Sequence, residues 1–225
     1  MSIEKVQIVE KILDANDQMA LENQQVFDQK NILAINIMAS PGAGKTSLIL
    51  RTIEGLAADY KIAVIEGDTA PVTIDADKIY ERGIPVTQIN TGGDCHLDAL
   101  MVRKGMQALN LEGVDLVIIE NVGNLICPAA FKLGSHLNVA IASIPEGDDK
   151  PYKYPNIYRG IQCLVLNKTD LLPYVDFNLE YFKQGIRILN PGVDILPLSS
   201  KTGEGMDAWL AWLCKRINEK KHAQK

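Results

Sequence analysis

The sequence predicts an α/β fold in which a mostly parallel central sheet is flanked by helices. Short runs of aliphatic and β-branched residues alternate with helical stretches along most of the chain, and this alternation is typical of a parallel sheet covered on both faces. The runs "DLVIIE" and "CLVLN" are almost continuously apolar, which indicates strands buried on two faces. We therefore expect ligands at the carboxyl ends of the strands.

The predicted elements follow one another in a regular order. An amphipathic helix over residues 1–28 comes first, because apolar residues from Ile3 to Leu21 recur with a period of about 3.6 residues. Strands are predicted in "NILAINIMA", "KIAVIEGD", "IPVTQIN", "VDLVIIEN", "LNVAIASI", "IQCLVLNKTD" and "VDILPLSS". Further helices are predicted over residues 46–58, 75–82, 95–109, 175–189 and 204–221. The length of 225 residues favours a single domain.

The composition narrows the classes of function. A formal net charge of -5 disfavours a nucleic-acid partner, because such binding neutralises many phosphates with a basic surface. The N-terminus lacks the apolar core of a signal peptide, and no apolar run approaches the length of a membrane span. We expect a cytoplasmic protein without a membrane partner, in which the four cysteines do not form a disulfide framework.

The run "ASPGAGKTSL", residues 39–48, predicts a phosphate-binding loop, because it follows the first strand and opens a helix. It begins with Ala39 where the usual pattern has glycine. Small residues let backbone N–H groups curl toward an anion, while Lys45 can reach the β- and γ-phosphates and Thr46 can offer its hydroxyl to Mg²⁺. The predicted phosphate-site residues are Gly42, Ala43, Gly44, Lys45, Thr46 and Ser47.

Two later segments indicate that the base of the nucleotide is guanine. "NKTD", residues 167–170, ends a predicted buried strand, and the Asp170 carboxylate can accept from both N1–H and the 2-amino group of guanine. "LSSKTGEG", residues 198–205, follows the last strand, where a backbone N–H near Ser200 can donate to the guanine 6-oxo group. The predicted base-binding residues are Asn167, Lys168, Asp170, Ser199, Ser200 and Lys201.

The segment "ENVG", residues 120–123, predicts a loop that detects the γ-phosphate. Glu120 can face Mg²⁺ through water, and the Gly123 N–H can face the γ-phosphate. The order of these segments predicts a GTPase that uses GTP, GDP and Mg²⁺. Asn124 stands where a glutamine would orient the attacking water, so we expect slow intrinsic hydrolysis, below about one turnover per second.

These residues, together with "NTGGDCHLDA", "ENVGNLICPA" and "EGDDKPYKYP", closely resemble the hydrogenase maturation GTPases called HypB, of the SIMIBI class. The resemblance covers residues 31–213, taken as the GTPase core, and implies a P-loop NTPase fold. It also implies GTP-dependent homodimers that insert nickel into the hydrogenase large subunit with a small metallochaperone of the HypA type. Neither the cysteine-rich nor the histidine-rich N-terminal motif of some members is present, so high-affinity nickel storage is not implied.

The resemblance also suggests which residues serve catalysis and magnesium. Asp68 is carried over as a magnesium or switch residue, so Thr46, Asp68 and Glu120 are the expected magnesium ligands, and Lys45, Asp68 and Glu120 the catalytic residues. The segment "GDTAPVTIDADKI" matches the family unevenly around residues 71–73, which leaves the role of Asp75 open. Lys150 and Lys153 are candidate phosphate or cross-protomer contacts.

The pair Cys95 and His96 predicts part of a Ni²⁺ or Zn²⁺ site. With Asp94 as the N-cap, both residues fall in the first turn of a helix, whose N-terminus is expected to lower the pKa of Cys95. Neighbours on a helix diverge by roughly 100°, so further ligands are needed. Cys127, four residues after Gly123, is the predicted third ligand, and a two-fold dimer axis there would double the set.

The remaining cysteines and histidines have more ordinary interpretations. Cys163 and Cys214 lie in apolar runs and are expected in the core. His136 is expected in a surface loop, and the basic tail "KRINEKKHAQK" is expected to be a solvated helix end. Three alternative functions stay open: a urease-type or other nickel-enzyme maturation GTPase, a P-loop kinase for a small acceptor, and a metal-binding scaffold whose nucleotide is structural.

Overall fold

The computed structural model describes residues 8–70 and 72–223. The first part of the predicted N-terminal helix, including Ile3 and Val6, and Pro71 of the unevenly matching segment lie outside the described residues. The strands are β1 (Leu33–Ala39), β2 (Ile62–Asp68), β3 (Val86–Asn90), β4 (Leu116–Glu120), β5 (Leu137–Ser143), β6 (Cys163–Asn167) and β7 (Asp194–Pro197). The helices are α1 (Ile8–Gln29), α2 (Lys45–Leu56), α3 (Ile74–Tyr80), α4 (Ala99–Ala108), α5 (Lys150–Lys153), α6 (Pro155–Arg159), α7 (Leu179–Leu189) and α8 (Met206–His222).

Across residues 8–70 and 72–223, the seven strands form one parallel sheet in the order β3-β2-β4-β1-β5-β6-β7. This confirms the predicted sheet and each predicted strand. The chain moves from β1 to β2 on one side and from β4 to β5 on the other, so the order reverses around β1. The carboxyl end of β1 is therefore a topological switch point, where open α/β sheets bind ligands.

Alternation along the strands divides the core between the two faces of the sheet. In β1, Leu33, Ile35 and Ile37 pack in one cluster with Leu48 of α2 and Trp209 of α8. Ala34 points the other way, into a cluster with Phe27 of α1 and Val102 of α4. Because side chains at i and i+2 share a face, the same alternation decides which face each residue at a strand end serves.

The helix α4 begins four residues later than predicted. Its N-cap is Asp98 and not the predicted Asp94. The Asp98 Oδ1 accepts a hydrogen bond from the Met101 N–H at 2.7 Å. Residues 95–98 form a bend before the helix, so the prediction that Cys95 and His96 lie in its first turn is wrong. α7 also begins four residues late, after its own N-cap Asn178. The short helices α5 and α6 were not predicted.

His136 and the end of α8 make more contacts than the sequence suggested. The Ala34 N–H donates to His136 Nδ1 at 3.0 Å, and His136 Nε2 lies 3.0 Å from Asp28 Oδ1. His136 lies in the loop before β5, as predicted, but its side chain is only 14% exposed, because it joins α1 to β1. Lys220 pairs with Asp28, and Lys221 pairs with Asp115 at 2.6 Å, so the basic end of α8 is partly docked.

Among the helices of the described chain, none combines the length and the apolarity needed to cross a bilayer.

The contacts of His136 predict a loss of stability in acid. Burial lowers the pKa of His136 below its ordinary value of 6.5, so the folded state disfavours the charged imidazole. A group of this kind contributes stability that is present above the unfolded pKa and lost as the pH falls below it. We expect the free energy of unfolding, measured in urea, to fall between about pH 7.5 and about pH 5.5, and to fall less in His136→Ala.

His222→Ala is the matched control, because His222 is the last residue of α8 and is exposed. It should keep the pH dependence of the wild type, whereas His136→Ala should also lose roughly 1 to 3 kcal/mol at neutral pH through its broken hydrogen bonds. An equal pH dependence in wild type and His136→Ala would contradict this account.

Candidate nucleotide and metal site

A cavity of about 530 Å³ opens at the carboxyl ends of β1, β2 and β4, at the topological switch point. The phosphate loop, the start of α2, the ends of β2 and β4, and α3 all contribute to its walls. Cys95 also lines it, which brings one predicted metal ligand to the cavity. The predicted residues and their neighbours in its walls are Gly42, Gly44, Lys45, Thr46, Ser47, Glu66, Asp68, Asp75, Cys95, Glu120 and Gly123.

The phosphate loop has the backbone that its glycines allow. Gly42 has φ +74° and Gly44 has φ +106°, both in the left-handed region that glycine adopts without strain. Gly44 is the N-cap of α2, whose first residue is Lys45. The first N–H groups of a helix have no partner within the helix, and Lys45, Thr46 and Ser47 at this end of α2 line the cavity, which suits an anion such as a phosphate. Ala43 of the same loop is fully buried and packs in the hydrophobic core.

Two buried carboxylates stand side by side beneath the loop. The register of β2 with β4 sets Glu66 opposite Glu120, and Thr46 Oγ1 donates to Glu120 Oε1 at 2.9 Å. The second oxygens, Glu66 Oε2 and Glu120 Oε2, are buried without a hydrogen-bond partner within the described part of the chain. Burial raises the pKa of Glu66 to about 8 and that of Glu120 to about 7.

Like charge adds to the effect of burial on both carboxylates. Glu120, Asp68 and Asp75 raise the pKa of Glu66 further, while the Lys45 ammonium opposes the shift at both glutamates. A buried anion without a partner is costly. The cavity therefore has the electrostatic character of a cation site, with oxygen donors that suit Mg²⁺.

Asp68 and Asp75 lie at the mouth of this cation site. Asp68 Oδ1 accepts from the Ala70 N–H at 3.1 Å, which orders the turn after β2. Thr46 Oγ1 lies 3.1 Å from Asp75 Oδ2, and Lys78 donates to Asp75 Oδ1 at 2.8 Å. Sequence reasoning missed Glu66, although its position two residues before Asp68 on one strand places both on the same face.

The two predicted base-side segments and the phosphate loop meet at Asn167, at the end of β6. Asn167 is 1% exposed, and its Nδ2 donates to the Ala43 carbonyl at 2.9 Å. Its Oδ1 accepts from the Ser200 N–H at 3.0 Å, so this N–H, expected to face a guanine oxygen, is bonded to Asn167 in the structure. Lys168 Nζ donates to the Gly42 carbonyl at 2.6 Å.

Asp170 and Lys201 complete this side of the site. Ser199 Oγ donates to Asp170 Oδ1 at 2.6 Å, which orients the carboxylate. Arg51 of α2 donates to the carbonyls of Ser200 and Lys201 at 2.9 and 3.0 Å. Segments 167–170 and 199–201 are therefore tied to each other and to α2, as one guanine-binding surface requires.

The predicted metal ligands come together within one chain. The ligand atoms of Cys95, His96 and Cys127 all lie within 4.8 Å of one another; the two Sγ atoms are 3.0 Å apart, and Cys95 Sγ is 3.9 Å from His96 Nδ1. The His96 ring also packs on Phe131, with centroids 3.9 Å apart. Two thiols and an imidazole form a donor set that suits Zn²⁺ or Ni²⁺.

α4 begins only at Ala99, so Cys95 does not lie at the helix N-terminus as expected. The close contact with the Cys95 thiol, together with burial, raises the pKa of Cys127. Cys163 is fully buried and Cys214 packs against the core, as predicted. Lys153 pairs with Asp149, and Lys150 lies 5.6 Å above the Tyr154 ring.

Known proteins are similar to this chain in sequence and in fold. The family model described as "CobW/HypB/UreG, nucleotide-binding domain" matches residues 33–197. The hydrogenase maturation factor HypB of Azotobacter chroococcum mcd 1 is 47% identical over 210 residues, which are 92% of this chain and 68% of that protein. The hydrogenase/urease maturation factor HypB of Helicobacter pylori is 36% identical over 225 residues, covering 97% of this chain and 91% of that protein.

A solved structure gives the same result. The crystal structure of HypB from Helicobacter pylori in complex with nickel superimposes with a TM-score of 0.86 at 33% identity, over 91% of this chain and 96% of that one. The fold and the phosphate loop define a P-loop nucleotide-binding protein of the GTPase class. Within that class, the chain belongs to the HypB family of hydrogenase maturation factors.

The close approach of Gly44 to Asn167 predicts a large effect of one methyl group. A Cβ at Gly44 would lie 2.4 Å from Asn167 Nδ2, at a φ of +106°. We expect Gly44→Ala to displace either the loop or Asn167, and to lower nucleotide affinity by more than about tenfold in a fluorescent-nucleotide titration.

Gly42→Ala is the matched control, because its φ is also positive but no atom lies within 4 Å of the added Cβ. It should show only the strain of a left-handed residue, about 1 to 2 kcal/mol in the free energy of unfolding. Equal losses of affinity in the two variants would contradict the steric explanation.

Proposed function

We propose that this protein is a GTPase that couples its nucleotide state to a Cys/Cys/His nickel site during hydrogenase maturation. One observation carries the proposal: Cys95 lines the nucleotide cavity while its sulfur lies 3.0 Å from Cys127 Sγ. The metal ligands are thus adjacent to the place where GTP would bind. Residues 31–213 form the GTPase core of one domain in this proposal.

The geometry around Asp170 supports guanine as the base. With Ser199 bonded to Oδ1, the carboxylate can still accept from N1–H and the 2-amino group of guanine through its remaining lone pairs. Adenine offers an acceptor at N1 and no 2-amino donor, so it would leave the carboxylate unpaired. That mismatch costs on the order of 1 to 3 kcal/mol.

The orphan oxygens beneath the loop support Mg²⁺. Thr46, Asp68 and Glu120 are the proposed ligands, with Asp75 hydrogen-bonded to the same threonine. When bound, the ion supplies positive charge to the β- and γ-phosphate oxygens. Lys45 would neutralise the same phosphates, and the Gly123 N–H would face the γ-phosphate. Asn124 is bonded to the Cys95 carbonyl at 3.2 Å and not placed as a water-orienting side chain, which supports slow hydrolysis.

Nickel is the proposed cargo at Cys95, His96 and Cys127. Three ligands from one chain leave one position open on a four-coordinate ion, so a second copy of this chain or another protein can complete the site. We propose that GTP promotes a homodimer, and that a HypA-type metallochaperone and the hydrogenase large subunit are the partners. Urease-type maturation is the second candidate, because the related protein of Helicobacter pylori is named for both enzymes.

Replacement of Asp170 tests the assignment of the base. Asp170→Asn places amide donors against the guanine 2-amino donor, so GTP affinity should fall by about 1 to 3 kcal/mol, roughly 5- to 150-fold. The same amide can donate to the 2-oxo group of xanthine, so binding of xanthosine triphosphate should improve. Asp176→Asn is the control, because Asp176 is exposed on the following loop. Unchanged selectivity in Asp170→Asn would contradict a guanine site here.

Replacement of both cysteines tests the metal site and its link to the nucleotide. Nickel titration of the wild type, followed by the thiolate-to-nickel absorption band, should give different affinities with GDP and with a non-hydrolysable GTP analogue. The double variant Cys95→Ala, Cys127→Ala should lose this absorption band. Its affinity for nickel should fall by more than roughly 10- to 100-fold, which is the usual cost of losing a residue that only supports a ligand. Cys214→Ala should leave both unchanged. Identical wild-type isotherms with the two nucleotides would rule out the coupling.

A further inference from the structure

The segment that carries Cys95 and His96 is held at both ends by two asparagines, Asn121 within the predicted γ-phosphate loop (residues 120–123) and Asn124 directly after it. At one end, Asn124 Nδ2 donates to the Cys95 carbonyl at 3.2 Å. At the other end, Asn121 Oδ1 accepts from the Leu97 N–H at 3.0 Å. Asn121 and Asn124 enclose Gly123, whose N–H is the proposed contact of the γ-phosphate. We call this pair of contacts the asparagine bracket.

The bracket rests on a rigid support. Asn121 is fully buried, its N–H donates to the Ile37 carbonyl at 3.0 Å, and its Nδ2 donates to Asn36 Oδ1 at 3.2 Å. Asn36 in turn donates to Asn138 Oδ1 at 3.1 Å. A buried amide side chain with all these partners has one favourable orientation. If the backbone of Asn121 shifts, its side chain therefore moves with it and displaces Leu97, whose N–H it binds.

Leu97 also touches the other acidic strand end. Its side chain is fully buried and lies where a Cβ on Gly67 would meet it at 2.7 Å. Gly67 stands between Glu66 and Asp68, so any residue larger than glycine there would push Leu97 away. The segment that carries Cys95 and His96 is thus fixed at two places. The Leu97 N–H bonds Asn121 at the end of β4, and the Leu97 side chain packs beside Gly67 at the end of β2. These two strands carry the proposed magnesium carboxylates.

Asn124 orders the second half of the metal site as well. Its Oδ1 accepts from the Ile126 N–H at 2.9 Å, one residue before Cys127. The same side chain therefore contacts the backbone on the Cys95 side and on the Cys127 side. A shift of Asn124 relative to Gly123 changes the separation of the two sulfurs, and with it the affinity for a metal that needs both.

We infer that Asn121 and Asn124 are positioning residues that pass the nucleotide state from the γ-phosphate loop to the Cys95, His96 and Cys127 ligands. This inference rests on the proposed function, because it names the parts through which that coupling works. Neither asparagine ligates the metal in this scheme. Their loss should therefore remove the coupling and leave a metal site behind.

The test measures the ratio of two nickel dissociation constants, one with GDP and one with a non-hydrolysable GTP analogue, for four proteins. The wild type should give a ratio that differs from one by about fivefold or more. In Asn124→Ala and Asn121→Ser the ratio should fall to within about twofold of one, with nickel stoichiometry and nucleotide affinity retained. Asn110→Ala, exposed beyond the far end of α4, should behave like the wild type.

The outcomes separate this inference from the function on which it rests. A wild-type ratio of one would contradict the coupling between nucleotide and metal, and therefore also the role of the asparagine bracket. A clear wild-type ratio that persists in Asn124→Ala would overturn the bracket alone. Loss of nickel binding with both nucleotides in Asn124→Ala would show a purely structural role and would also overturn it. Asn124 is only partly buried, so this variant decides the question even if Asn121→Ser does not fold.

Discussion

Parallel pairing of β2 with β4 places Glu66 opposite Glu120 inside the protein. The rest of the site depends on the electrostatic repulsion between these two carboxylates. Each has an oxygen that is buried without a partner in the described chain, and burial raises both pKa values into the neutral range. A cation removes the cost of ionising them. The phosphate loop, Lys45 and Thr46 are arranged around this place, so nucleotide and cation are expected to bind as one unit.

Alternation at the ends of β2 and β4 also positions the segment before α4, on the opposite face. Glu66, Asp68 and Glu120 point toward α2, whereas Gly67 and Asn121 point toward the segment before α4. The first group offers hard oxygen donors, and the second holds the backbone that presents sulfur and imidazole. Hard oxygen donors suit Mg²⁺ and the cysteine and histidine side chains suit a softer transition metal, and the two sets meet where Cys95 lines the cavity.

The sequence predicted the parts of this molecule that local pattern determines. The seven strands were visible because residues buried on two faces are continuously apolar, and the phosphate loop because its spacing and its place after β1 occur together. Glu66 was missed although it shares a strand face with Asp68, whereas its pairing with Glu120 is set by the register of β2 with β4, which one strand alone does not determine. The predicted start of α4 was wrong because Asp94 and Asp98 are both residues that can cap a helix N-terminus. The actual choice depends on Leu97, whose burial beside Gly67 keeps residues 95–97 out of the helix.

That choice of N-cap has a functional consequence. In the first turn of a helix, Cys95 and His96 would point about 100° apart and could not both reach Cys127. In the bend that the structure shows, their ligand atoms and that of Cys127 lie within 4.8 Å of one another, and the Cys95 carbonyl and the Leu97 N–H are free to bond the γ-phosphate loop. The metal site therefore requires a late helix start. Moving the start to Asp94 would engage the Cys95 carbonyl in a helical hydrogen bond and turn the Leu97 N–H toward the Asp94 cap, and would separate the proposed nickel ligands from the nucleotide cavity.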